Sequence, residues 1–176
     1  MLLAALVLAS SPAGAEAQEP RGELRVAIGV FLFADDGLDF HVGYRPQQSR
    51  WQYGLRLARW TDEWETASGI GLTQTTKTLA GPTLNYFFRP EARGSWYLGA
   101  SLLRWSQEER SLSGGGSDKD ATTAPFFGGG YSGRLGGSFY YNWGIFLSPS
   151  RLETRTADSE EQSTGADVQL QIGVAF

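Results

Sequence analysis

The chain holds one histidine, His41, and no cysteine in 176 residues, so any nucleophilic chemistry has a single imidazole to draw on. Acyl-transfer sites need a hydroxyl or thiol nucleophile, a base beside it and an acid that orients the base. Asp39 precedes His41 by two positions and Gly43 follows it by two. In an extended strand all three share one face, and no hydroxyl is among them. Without cysteine, disulfides and thiolate metal sites are excluded. Acidic runs occur at Asp62, Glu63 and Glu65, at Glu108 and Glu109, and at Asp158, Glu160 and Glu161. None has the ligand spacing of a calcium loop, and all read as solvated charge. SLSGGGSDKD has the glycines of a phosphate cradle but neither its Gly-Lys-Ser/Thr end nor the helix that must follow. The net charge of −4 carries no footprint of nucleic-acid binding.

The remaining polar residues fall into two sets. Arg25, Asp39, His41, Arg45, Gln52, Arg56, Asn85, Tyr97, Ser101, Tyr140, Asn142, Asp167, Gln169 and Gln171 alternate with apolar neighbours and share the opposite face from them. Buried ions persist when paired and hydrogen-bonded, so Asp39, His41 and Arg56, on adjacent predicted strands at similar depth, are expected to interact. The second set comes from a repeated ending, Leu57-Ala58-Arg59-Trp60 and Leu102-Leu103-Arg104-Trp105. Parity sends Arg59 and Arg104 to the apolar face at one boundary of it. Guanidinium forks suit bidentate phosphate contacts, with Lys77, Arg110, Arg151 and Arg155 as candidate helpers.

Strands must position both sets. In the terminal DVQLQIGVAF, Val168, Leu170, Ile172, Val174 and Phe176 lie on one face and Asp167, Gln169, Gln171, Gly173 and Ala175 on the other. The same alternation predicts strands over 23–33, from Leu38 to Tyr44, from Trp51 to Leu57, over GPTLNYFF, over WYLGASLL, around Phe127-Gly129-Tyr131, and from Phe139 to Leu147. These make eight with the terminal one. Each carries a glycine on the polar face: Gly29, Gly43, Gly54, Gly81, Gly99, Gly128, Gly144 and Gly173. Glycine weakens a strand unless space is short, and the interior of an eight-stranded barrel is only wide enough for side chains to fill it. Aromatics such as Tyr44, Trp51, Tyr86, Phe88, Trp96 and Phe139 flank the short connections, 46–50, 89–95 and 133–137. The long connections, 61–71, 106–121 and 148–165, are polar and read as loops at the other end.

The predicted fold is therefore all-β, an eight-stranded antiparallel up-and-down barrel over residues 23–176. A soluble barrel would turn its apolar face inward around a ligand. Here the apolar face lacks mid-strand charge and the other holds glycines and ions, which suits a transmembrane barrel. Met1 opens onto LLAALVLA, too short to span a bilayer, followed by the A-x-A sites Ala13-Gly14-Ala15 and Ala15-Glu16-Ala17. Residues 1–17 thus read as a secretory signal and 18–22 as a short periplasmic segment.

Taken together, these strands resemble the small bacterial outer-membrane barrels, the family of the OmpA transmembrane domain and the OmpX- and OmpW-like proteins. The most specific part of the likeness is the terminal strand closing on Phe176. The resemblance implies an outer-membrane location in a Gram-negative bacterium and a monomer without a cofactor. It also implies contact with outer-membrane lipid and lipopolysaccharide, the latter through Arg59 and Arg104. Val168, Leu170, Ile172, Val174 and Phe176 would serve as the assembly signal for the barrel assembly machinery and periplasmic chaperones. The expected function is a non-enzymatic structural or surface-interaction role, with the lumen closed by a polar plug. A small passive channel for ions or apolar solutes and a lipid A-modifying enzyme are the alternatives. Barrel deacylases set a Ser two residues after their His, where this chain has Gly43. Omptin-type proteases need more strands and a His–Asp pair.

Overall fold

The computed structural model describes residues 22–30, 37–65, 72–90, 92–111, 117–150, 152–155, 160–163 and 165–176. The proposed signal segment and most of 18–22 lie outside them. The strands are β1 (Glu23–Gly29), β2 (Leu38–Arg45), β3 (Trp51–Glu65), β4 (Leu72–Phe87), β5 (Gly94–Ser111), β6 (Ser117–Gly136), β7 (Phe139–Leu147), β8 (Leu152–Arg155), β9 (Glu160–Ser163) and β10 (Ala166–Ala175). Eight of them close into an antiparallel barrel in the order β1-β10-β7-β6-β5-β4-β3-β2, and β8 and β9 form a separate hairpin. Closure removes every sheet edge at bilayer depth, as a chain without water to satisfy its backbone requires. Phe176 and Leu24 exchange backbone hydrogen bonds of 2.8 and 3.1 Å, so the terminal aromatic seals the seam with β1.

The alternation reads through in the burial. Along β2 and β7, exposed and buried residues alternate strictly. Outward positions are Leu, Ile, Val, Phe, Tyr and Trp: Tyr53, Leu55, Leu57, Trp96, Leu98, Phe127, Ile145 and Val168 are all about half exposed. Inward positions hold charge and amide. This inverts the soluble arrangement and suits hydrocarbon outside. The eight inward glycines lie where space is short. A Cβ built on Gly144 would come within 2.5 Å of the Tyr97 hydroxyl and 3.1 Å of the Phe146 ring, and one on Gly43 within 2.5 Å of the Gln52 amide.

Two expected loops are largely strand. Residues 61–65 pair with 72–76, and 106–110 pair with 117–121, so β3 to β6 rise well past their neighbours. Past the apolar band both faces of these strands carry polar residues, among them the buried Thr75, Gln107 and Glu109, so the period-two hydrophobic signal vanishes. The pairing remains, helped by β-branched threonines at 73, 75, 76 and 78. The 148–165 connection likewise contains the β8–β9 hairpin. At the opposite end the connections are short. The β6–β7 turn is only Gly137-Ser138, entered through a bulge between Arg134 and Gly136. Gly136 and Gly137 there have φ of 146° and 53°, values that suit glycine.

Candidate functional site: a sealed lumen and two charged rims

Arg56 organises the middle of the lumen. Its Nε and Nη2 donate to Asp39 Oδ1 and Oδ2 at 3.0 and 2.9 Å, a fork-to-fork pair between β3 and β2. Its Nη1 donates to Asp167 of β10, across β2 and β1. Gly29 of β1 makes this reach possible: a Cβ there would lie 2.6 Å from that of Asp39. Asp167 also accepts from Gln169 Nε2 at 2.6 Å, and Asn142 Nδ2 donates to Gln171 Oε1 at 3.1 Å. Arg56 and Asp39 are both buried. A positive charge held between two carboxylates is compensated where an unpaired one would be very costly.

His41 does not join that cluster as expected. Its Nε2 sits 3.0 Å from Thr83 Oγ1 of β4, while both oxygens of Asp39 are taken by Arg56. The pair is a hydroxyl beside an imidazole, buried in the lumen, with the nearby acid committed elsewhere.

Toward the long-strand end the lumen turns apolar. Ala58, Leu79, Leu103, Ala124, Phe126 and Phe146 form one buried cluster that continues through Tyr97 and Phe87 toward the short-turn end, where Arg25 lies over Phe87. Trp60 and Trp105 pack on it edge to face, with ring centroids 5.2 Å apart. The filling of the lumen is thus part polar and part apolar, where sequence reading expected a polar plug. The parity that turns Arg59 and Arg104 outward turns Trp60 and Trp105 inward, so the repeated Arg-Trp ending builds an indole lid from its second residue. Beyond the lid, Lys77 Nζ lies 3.4 Å from Asp62, and Gln107 Nε2 donates to Glu109 Oε1 at 3.1 Å.

The short-turn end is closed by charge. Glu23 accepts from Arg25 Nε and Arg45 Nη2 at 2.6 Å each and from Arg134 Nη2 at 3.3 Å. Arg25 also lies over the Tyr140 and Phe87 rings, 5.0 and 5.4 Å from their centroids. Glu23 was not singled out in the sequence, although its parity with Arg25 places it on the same face.

Arg45, Asn85, Asn142, Gln169 and Gln171 are buried on the inner wall as expected. Arg59 and Arg104 are exposed outside, at the first outward positions beyond Leu57 and Leu102. They stand on β3 and β5 with β4 between them: Arg59 registers with Thr78 and Arg104 with Ala80. Lys77 is a correction to their set of helpers, because it faces the lumen side and pairs with Asp62. Arg110 is exposed. Arg151 lies outside the described residues, as does the side chain of Arg155. Val168, Ile172 and Phe176 are exposed on the outer face of β10, with Leu170 and Val174 half-buried beside them. Among the described residues no group of His, Asp or Glu is arranged to hold a metal ion.

No family model matches the chain, and no curated protein matches it. Solved structures do. The crystal structure of Ail, the attachment invasion locus protein of Yersinia pestis, in complex with the heparin analogue sucrose octasulfate, aligns with a TM-score of 0.55 at 16% identity, covering 89% of this chain and 100% of that one. Neisserial surface protein A aligns with a TM-score of 0.55 at 14% identity, covering 88% and 92%. The N-terminal β-barrel domain of Pseudomonas aeruginosa OprF gives 0.51 at 14%, covering 88% and 96%. The chain has the fold of these small barrels, with large apolar side chains exposed on its outer face.

The lumen network makes a definite demand on stability. Replacing Arg56 with Met strands two carboxylates and is expected to cost about 3–5 kcal/mol, read from urea unfolding in detergent micelles. Replacing Asp39 and Asp167 with Asn in the same chain should restore most of that loss. If the triple variant is no more stable than the single one, Arg56 is not held by these two acids.

Proposed function

We propose that this chain is an integral outer-membrane barrel with a structural or surface-directed role, without catalytic activity, whose lumen is closed to solutes. The observation that carries this reading is the filling of the interior: the Arg56 cluster shares the lumen with the buried Leu79, Leu103, Phe126 and Phe146, on which Trp60 and Trp105 pack. An ion crossing it would shed its water against hydrocarbon. In this reading the short turns face the periplasm and the tall β3–β6 wall faces outward, as in barrels with short periplasmic turns and longer extracellular segments. β10, with its apolar outer stripe and terminal Phe176, then supplies the signal read by periplasmic chaperones and the assembly machinery.

The partner on the outer side is lipopolysaccharide. Arg59 and Arg104 are the first charges beyond the apolar band on β3 and β5, so their guanidinium groups stand at headgroup depth. There the phosphates of lipid A can be gripped bidentately.

The channel alternative draws on one observation. Gln52 Oε1, Ser101 Oγ, Asn142 Oδ1 and Gln171 Nε2 are buried without a protein partner. They suit water held within the lumen. An enzymatic reading finds His41 and Thr83 walled off from the lipid face.

Planar-bilayer recording of the folded protein tests the closed lumen. No unitary conductance is expected from the unaltered chain, and discrete steps would overturn the proposal. Lipopolysaccharide copurifying with an Arg59→Ala/Arg104→Ala variant is expected to fall several-fold, and equal retention would refute the rim contact.

A further inference from the structure

The short-turn rim holds a second group of cations that the lumen does not use. An open cavity of about 660 Å³ lies between the β2–β3 and β4–β5 turns, lined by Gln47, Gln48, Arg50, Phe88 and Arg89 among others. Both walls are fixed by their own hydrogen bonds. Ser49 N–H donates to Pro46 O at 3.0 Å, Ala92 N–H to Arg89 O at 3.1 Å and Arg89 N–H to Ser95 Oγ at 2.9 Å. Gln48 adopts φ of 55°, a left-handed conformation normally given to glycine or asparagine. A strained non-glycine residue in a cavity wall is a pointer to use of its side chain.

Charge balance separates these arginines from the rest of the rim. Arg25, Arg45 and Arg134 share Glu23. Arg50 and Arg89 have no carboxylate partner among the described residues; Glu91, in the same turn, lies outside them. Arg50 Nη1 donates instead to the Tyr86 hydroxyl at 2.9 Å, one of the five donors a guanidinium offers. Tyr86 stands in an edge-to-face row with Trp51 and Phe88, at centroid distances of 5.0 and 5.7 Å. Such amphipathic rings mark the depth of lipid headgroups. The cavity therefore opens where a phosphodiester lies fixed in the leaflet, with its acyl chains running along the apolar wall.

We infer that this cavity binds the headgroup of an anionic phospholipid of the periplasmic leaflet, with Arg50 and Arg89 on the phosphate and Gln47 and Gln48 beside its polar end. The assignment of leaflet rests on the orientation proposed above; binding itself does not, because a symmetric vesicle presents the same lipid to both rims. Two arginines line one cavity walled by protein on two sides, which distinguishes it from the diffuse attraction of a basic surface.

The test uses the full mature protein folded into phosphatidylcholine vesicles carrying a trace of spin-labelled phosphatidylglycerol or phosphatidylcholine. The motionally restricted fraction of each label is the readout. The unaltered protein is expected to favour the anionic label by about fivefold. In an Arg59→Ala/Arg104→Ala background, which removes the cations of the other rim, the preference should persist in part; adding Arg50→Gln/Arg89→Gln should abolish it, and adding Arg50→Lys/Arg89→Lys should keep part of it. The two single glutamine variants carry the same comparison with half the charge removed. Equal preference in the unaltered and glutamine proteins would overturn the inference. So would its abolition by added inorganic phosphate, which marks a site for a free anion rather than a lipid. A preference already abolished in the Arg59/Arg104 background overturns it too and places lipid selection at the other rim.

Discussion

Hydrocarbon outside and a lumen one side chain wide together leave this barrel no place for an unpaired charge between its rims. Every inward ion has to find its counter-ion across a space that other side chains also fill. Arg56 meets that condition by reaching from β3 past β2 and β1 to Asp167 while holding Asp39 with both arms of its fork. Glycine at one inward position of each barrel strand is the other half of the same solution. Gly29 leaves room for Asp39, and Gly99 and Gly144 for the Phe146 ring. A buried ion triad adds little to stability over a well-packed apolar core of the same volume. Its use here is to define the arrangement, because the three residues lie on strands from both sides of the β1–β10 seam and match only in one register.

Parity of side chains was readable from the residues within the apolar band, and with it the closed antiparallel sheet, the inner polar set and the outward Arg59 and Arg104; beyond the band it was not, and Lys77 faces the lumen side. Period-two alternation is a direct record of which side meets lipid, so it works best where the two sides differ most. It fails where they stop differing. The upper parts of β3 to β6 are polar on both faces, and their ladder is invisible to a hydrophobic pattern. The apolar layer was missed for a related reason. Leu79 precedes the expected start of its strand, and Leu103 sits in a run of two leucines where only one was needed for the lipid face. Trp60 and Trp105 close the repeated ending with parity opposite to that of the arginines, but nothing in the pattern says that two indoles on β3 and β5 meet past β4. Partners within the lumen were the least accessible. Side-chain reach, and not strand order, decides that His41 meets Thr83 and Arg56 meets Asp167.

The two rims divide their charge differently. At the short-turn end Glu23 gathers three arginines into the mouth of the lumen and leaves Arg50 and Arg89 outside with the interfacial aromatics. At the long-strand end the outward arginines follow directly on the apolar band, while Lys77 and Asp62 pair on the lumen side. Cations thus stand at both ends of the outer wall, and the inward charges are paired separately among themselves. The two faces of one sheet in this way carry different chemistry.

The sidedness of the wall is the claim on which all of this rests, and tryptophan emission reports it directly. In single-tryptophan variants folded into bilayers with brominated acyl chains, Trp96 and Trp143, on the outer face, are predicted to be strongly quenched. Trp60 and Trp105, packed together over the apolar layer inside, are predicted to keep their emission. Quenching of the inner pair with sparing of the outer one would contradict the account.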